Sequence, residues 1–104
     1  MLELNKDNFD QEVLNSKGLV LVDYWSPKCE PCMELMPHVV ELSERFPAVT
    51  FGKVNIMENR RLAIGQKVMG LPTILFYKDG QPVAELTKGL TIEDVEAKLK
   101  ELLG

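Results

Sequence analysis

The sequence predicts an α/β fold: a central mixed sheet of four to five strands flanked by helices on both faces. Short β-branched apolar runs alternate along the chain with segments of helical period. Asp79-Gly80 is a strong hairpin turn signal, and a turn that short makes the strands on either side antiparallel. The earlier strand-like runs are separated by helix-length segments, which lets those strands run parallel.

Taken in order, residues 2–4 can add an edge strand, and residues 7–16 form a weak helix with Phe9 and Val13 on one face. Residues 19–24, Leu-Val-Leu-Val-Asp-Tyr, have the continuous apolar character of a central strand buried on both faces. Residues 32–46 place Cys32, Leu35, Met36, Val39, Leu42 and Phe46 close to a 3.6-residue period, with Pro37 inside to kink the helix. Residues 49–56 read as a strand and 58–67 as a helix weakened by Gly65. Strands at 73–77 and 82–87 follow, and Thr91 with Asp94 makes a capping-box pattern for a helix over 91–103. The order is β-α-β-α-β-α-β-β-α.

A chain of 104 residues with a hydrophobic fraction of 45% is expected to form one domain over residues 1–104 with an ordinary core. It exceeds the roughly 70–80 residues below which small folds need staples. A bridge between Cys29 and Cys32 would close a loop of about four residues, which the chain-entropy model credits with roughly 2 kcal/mol. The pair is therefore poorly placed as a structural staple. The net charge of −4 and the lack of a basic cluster argue against nucleic acid as a partner. No basic-then-apolar leader pattern opens the chain and no apolar run approaches the roughly 18 residues of a membrane span, so a cytoplasmic protein without a membrane partner is expected. In a reducing cytosol a cysteine pair is more often catalytic or metal-binding than structural.

Cys29-Glu30-Pro31-Cys32 directly follows the central strand and opens a helix. A helix N-terminus offers unpaired N–H groups and a partial positive charge, which stabilise a thiolate, the attacking species in disulfide exchange. The i, i+3 spacing returns the second sulfur over the first turn, within bonding reach, and Pro31 sits where its missing N–H costs little. The expected cycle has Cys29 attack a substrate disulfide and Cys32 resolve the mixed disulfide. One competing reading is half of a zinc site. With only two cysteines and one histidine, a closed tetrahedral site would need a dimer. Another is a docking module in which the pair is inert.

The whole chain resembles the thioredoxin family. The residues that carry the resemblance are Val22-Asp23-Tyr24-Trp25, Cys29-Glu30-Pro31-Cys32, Pro37, Gly70-Leu71-Pro72-Thr73, Lys78-Asp79-Gly80 and Gly89, in family order and at family-like spacing. The resemblance implies the thioredoxin fold and a protein dithiol-disulfide oxidoreductase that reduces protein disulfides. It needs no bound cofactor or metal beyond its redox-active disulfide, and takes part in electron transport and cell redox homeostasis. It implies a monomer recycled by a thioredoxin-reductase-type electron donor and acting on disulfide-bearing protein substrates. It also implies a cis bond before Pro72, beside which the backbone pairs with an extended substrate segment. Trp25, Pro31, Met69, Gly70, Leu71, Pro72 and Gly89 would form the apolar docking surface. Asp23 interrupts an apolar strand, where burial should raise its pKa; the matching family aspartate shuttles a proton to or from the resolving cysteine, here Cys32. The other reading of Asp23 is a strand-end carboxylate satisfied by backbone groups. Lys53 matches the family lysine that lies near this aspartate. His38 reads as a surface residue on the polar side of its helix.

The usual Trp-Cys-Gly-Pro-Cys-Lys motif is here Lys28-Cys29-Glu30-Pro31-Cys32-Met33. Lys28 favours the Cys29 thiolate and Glu30 disfavours it, so these two tuning charges partly cancel, and exposure screens both. The expected reduction potential is therefore nearer the roughly −270 mV of thioredoxins than the roughly −120 mV of a strong dithiol oxidant. Equilibration against a dithiol redox buffer checks this; a midpoint near about −150 mV would contradict it.

Overall fold

The computed structural model describes residues 1–104. Its strands are β1 (Leu2–Leu4), β2 (Leu19–Trp25), β3 (Thr50–Asn55), β4 (Thr73–Lys78) and β5 (Gln81–Leu86), and its helices are α1 (Glu30–Arg45), α2 (Arg60–Gly65) and α3 (Ile92–Leu103). They form one five-stranded sheet in the order β1-β3-β2-β4-β5. β1, β3 and β2 run parallel, while β4 is antiparallel to both β2 and β5. The expected element order and mixed sheet are thus what the chain adopts.

Period-two alternation along β2 sends its residues to two layers. Leu19 and Leu21 join Phe51, Ile74 and Phe76 on the face covered by α1, through Leu35, Val39 and Leu42, and by α3, through Val95 and Leu99. Val20, Val22 and Tyr24 join Leu4, Val54, Leu75 and Tyr77 on the opposite face, under Phe9, Val13 and Ala63. Two phenols lie in this second layer. Tyr24 and Tyr77 share a hydrogen bond of 2.9 Å between hydroxyls, and the Tyr77 hydroxyl donates to Gln66 Oε1 at 2.7 Å. Burial raises both phenol pKa values, so both hydroxyls stay neutral, and the Tyr24–Tyr77–Gln66 bonds give partners to groups that would otherwise be buried without any.

Three local features refine the sequence reading. The expected helix over 7–16 contracts to a short π-helical turn, Asp10–Leu14. Ahead of it the Asn5 side chain accepts from the backbone N–H groups of Asp7 and Asn8, and Asn8 accepts from Asn5 N–H. The Asn5–Asn8 bonds are reciprocal, as in a capping box, and Phe9 N–H donates to the Asn5 carbonyl at 3.0 Å; the turn then widens, with Asn15 N–H donating to the Asp10 carbonyl at 2.8 Å. α1 continues through Pro37 to Arg45. The capping box forms as expected, with Thr91 Oγ1 accepting from Asp94 N–H and the Asp94 carboxylate from Thr91 N–H.

The hairpin turn needs its glycine. Asp79 has φ 51° and Gly80 φ 83°, both left-handed, and Asp79 Oδ1 accepts from Gly18 N–H at 2.8 Å, tying the turn to the start of β2. A Cβ on Gly80 would run into the Leu14 carbonyl oxygen. Gly80→Ala should therefore lower stability by at least about 1 kcal/mol, read as a lower urea midpoint at unchanged m.

Candidate active site

The chain leaves the sheet at Trp25 and makes a tight turn. Cys29 N–H donates to Ser26 carbonyl oxygen at 3.0 Å, and Lys28 N–H to Ser26 Oγ at 3.1 Å. Ser26 is itself buried, so this turn is anchored rather than loose. It delivers Cys29 to the N-cap of α1, where Cys29 Sγ accepts from Cys32 N–H at 3.2 Å. The two cysteines form a disulfide with a Cα–Cα distance of 5.2 Å.

The sulfurs have different surroundings. Cys29 is partly exposed at the helix tip. Cys32 is 1% exposed and falls on the stripe Cys32, Leu35, Val39, Leu42, which α1 turns toward the sheet. Lys28 and Glu30 are both exposed beside Cys29.

Asp23 lies in that same layer, because it continues the Leu19–Leu21 alternation. Its neighbours in register are Lys53 on β3 and Ile74 on β4, and Lys53 is in turn paired with Glu3 on β1. A row Glu3, Lys53, Asp23, Ile74 therefore crosses the sheet. Asp23 is 1% exposed, and neither carboxyl oxygen has a hydrogen-bond partner. The backbone-satisfied reading of this aspartate does not hold. Burial raises its pKa from 3.8 to about 7, against the opposing pull of the Lys53 charge. Lys53 Nζ is 4.0 Å from a Glu3 carboxylate oxygen and 5.8 Å from the Trp25 ring centroid, so its charge sits among three groups of the row and its border.

The Leu71-Pro72 bond is cis. Thr73 Oγ1 donates to the Gly70 carbonyl at 2.6 Å, and Thr87 Oγ1 donates to the Pro72 carbonyl at 3.2 Å. With the hydroxyls 3.0 Å apart, these two threonines clasp the Gly70–Pro72 segment from β4 and from the end of β5. A groove of about 450 Å³ runs beside it, bounded by Pro31, Leu35, Leu71, Pro72, Gly89 and Leu90. Of the sequence-predicted docking residues, the groove brings together Pro31, Leu71, Pro72 and Gly89. Trp25, Met69 and Gly70 do not line it, and Met69 projects with 94% exposure. Sequence reading missed Glu34, Leu35, Leu90 and Ile92 as groove residues and took His38 for plain surface. The signal was present, since Pro31, Glu34, Leu35 and His38 follow i, i+3, i+4, i+7 along one helix face.

The buried carboxyl has a pH signature. In the unfolded chain Asp23 ionises near 3.8, and in the folded protein near 7. Between those values the unfolded chain binds fewer protons at this group, so the Asp23 contribution to stability is fully present below pH 4 and is lost as pH rises toward 7, by up to about 4 kcal/mol. Asp23→Asn should remove this loss. Urea unfolding of the oxidised protein should show the variant gaining on its parent from pH 4 to 8.

Comparison with known proteins agrees with this geometry. The thioredoxin family model matches residues 1–101. The thioredoxin of Acetoanaerobium sticklandii is 50% identical over 105 residues, covering 99% of this chain and 100% of its own length. That of Peptoclostridium acidaminophilum is 48% identical over 106 residues, covering 100% of this chain and 96% of its own. The thioredoxin of Buchnera aphidicola is 38% identical over 104 residues, with 99% and 93% covered. The matches span the sheet, the helix-capping disulfide and the cis-proline segment together. The chain belongs to the thioredoxin family and is a dithiol-disulfide oxidoreductase whose own Cys29–Cys32 disulfide serves in place of a cofactor.

Proposed function

We propose that Cys29 is the attacking thiol and Cys32 the resolving one. The observation that carries this division is the difference in placement: Cys29 caps α1 partly exposed, with Cys32 N–H directed at its sulfur, while Cys32 is buried against the sheet. The cap N–H and the helix dipole favour negative charge on Cys29 once the pair is reduced. In each turnover the Cys29 thiolate attacks one sulfur of a substrate disulfide and the other sulfur leaves as a thiolate. Cys32 then loses its proton and attacks Cys29, the second substrate thiolate leaves, and Cys29–Cys32 reforms. Two electrons pass from the dithiol to the substrate.

Asp23 is the proposed proton acceptor for Cys32. Its carboxyl lies in the layer that Cys32 faces, lacks any hydrogen-bond partner and titrates near neutrality. Lys53 holds that titration down from where burial alone would set it. Lys28 and Glu30 tune the attacking sulfur with opposite charges. The substrate segment docks in extended form along Gly70-Leu71-Pro72, with Pro31 and Gly89 as apolar walls and Trp25 and Met69 at the margin.

As in the family generally, the partners are disulfide-bearing proteins and a reductase that restores the dithiol. In finer terms we read the protein as one domain and a cytoplasmic monomer, recharged by a donor of the thioredoxin-reductase type. No helix is long and apolar enough to cross a membrane.

In a dithiothreitol-driven insulin reduction assay, Cys29→Ser should lose all catalysis. Pre-reduced Cys32→Ser, mixed with insulin after the reductant is removed, should instead accumulate a mixed disulfide through Cys29, visible on non-reducing gels and released on adding dithiothreitol. Trapping through position 32 in Cys29→Ser at equal yield would overturn the assignment.

A further inference from the structure

The groove beside the disulfide is apolar on its floor and on its far wall, where Leu35, Leu71, Pro72, Leu90 and Ile92 sit. Its α1 wall differs. That wall is made of Pro31, Glu34 and His38, and Glu34 is the only carboxylate among the lining residues, with no lysine or arginine lining the groove. Glu34 is exposed and takes part in no ion pair or side-chain hydrogen bond. The ion pairs of the protein lie elsewhere, along α3 and at the β1–β3 edge. Charges adjacent in sequence to the groove, Glu30, Lys88 and Glu93, do not line it. A segment docked along Leu71–Pro72 would thus lie opposite Glu34, the one carboxylate in the groove wall.

We propose that Glu34 is a specificity-determining residue, and that the groove selects protein substrates carrying a lysine or arginine within a few residues of the attacked half-cystine. The inference rests on the exchange reading above and adds the substrate class. A basic side chain on an extended segment pairs with Glu34 at the α1 wall while its neighbours cover the apolar floor. An acidic side chain in that place faces the carboxylate across a partly dehydrated groove and is disfavoured. The pairing is partly exposed, so its effect is moderate and salt-sensitive.

The test uses three synthetic peptides, each with one intramolecular disulfide and differing at a single position beside it: lysine, alanine or glutamate. The pre-reduced protein is mixed with each at low ionic strength, quenched with acid, and the thiol form of the peptide is separated by chromatography. The readout is the ratio of second-order rate constants for the lysine and glutamate peptides within each protein. The wild type should prefer lysine by about 3- to 10-fold, shrinking toward unity in about 0.5 M salt. Glu34→Gln should bring the ratio to about one, and Glu34→Lys should invert it. A ratio of one in the wild type, with all peptides reduced, overturns the selectivity. So does a lysine preference that survives in Glu34→Gln. Failure of the wild type to reduce even the alanine peptide would instead strike the exchange reading.

Discussion

The packing of α1 against the sheet is the constraint on which the rest of the site depends. Cys32, Leu35, Val39 and Leu42 make one stripe, and three of these residues interlock with Leu21, Phe51, Ile74 and Phe76 across the layer. That contact sets the rotation of the helix about its axis. With the rotation set, residue 32 must point inward and residue 29, at the cap, must stay at the surface. A helix turned by one residue would bury a different side chain in place of Cys32. The asymmetry on which the proposed two-step exchange relies is therefore a by-product of core packing, held by the same dispersion and hydrophobic forces as any other helix–sheet contact.

The second element is unfavourable when taken alone. A carboxyl group with no hydrogen-bond partner, buried in the central strand of a sheet, lowers the stability of the folded state at neutral pH. It is tolerated because the surrounding layers are large enough to offset it, and because Lys53 stands beside it in register. Lys53 is shared with Glu3 and the Trp25 ring, so the charge near Asp23 depends on the edge strand β1 as well as on β3. Strand order thus reaches into the titration of Asp23. If β1 paired elsewhere, Lys53 would lose its outer partner and its pull on Asp23 would change.

Much of the fold was legible because the signals were local. The apolar run of β2, the 3.6-residue period of α1 and α3, the Thr91–Asp94 box and the Asp79–Gly80 turn each act over a few residues, and each formed where its pattern lay. Residues 7–16 read as a weak helix from the spacing of Phe9 and Val13, and the segment is helical, though in π form over Asp10–Leu14. The Asn5 and Asn8 side chains cap its start reciprocally, and the Asn15 N–H to Asp10 carbonyl bond gives the turn that follows its wider form. The cysteines and Asp23 stood out as chemistry-bearing residues in unusual places. Glu34 and His38 did not, since an exposed carboxylate and an imidazole on a helix are ordinary until the opposite wall of the groove is known.

The sequence by itself determined the order of elements, the placement of the Cys29–Cys32 pair at the start of a helix and the presence of a charge in an apolar strand, because these follow from short-range periodicity and residue chemistry. Only the tertiary structure decided which groups meet. It placed Glu3, Lys53 and Asp23 in one row through strand order, and clasped the cis Leu71-Pro72 segment between Thr73 and Thr87. It also set Pro31 and Glu34 across a groove from Leu71 and Leu90. Such contacts join residues far apart in the chain. They exist only once sheet order and helix rotation have been selected by the core as a whole, and no local pattern encodes that selection.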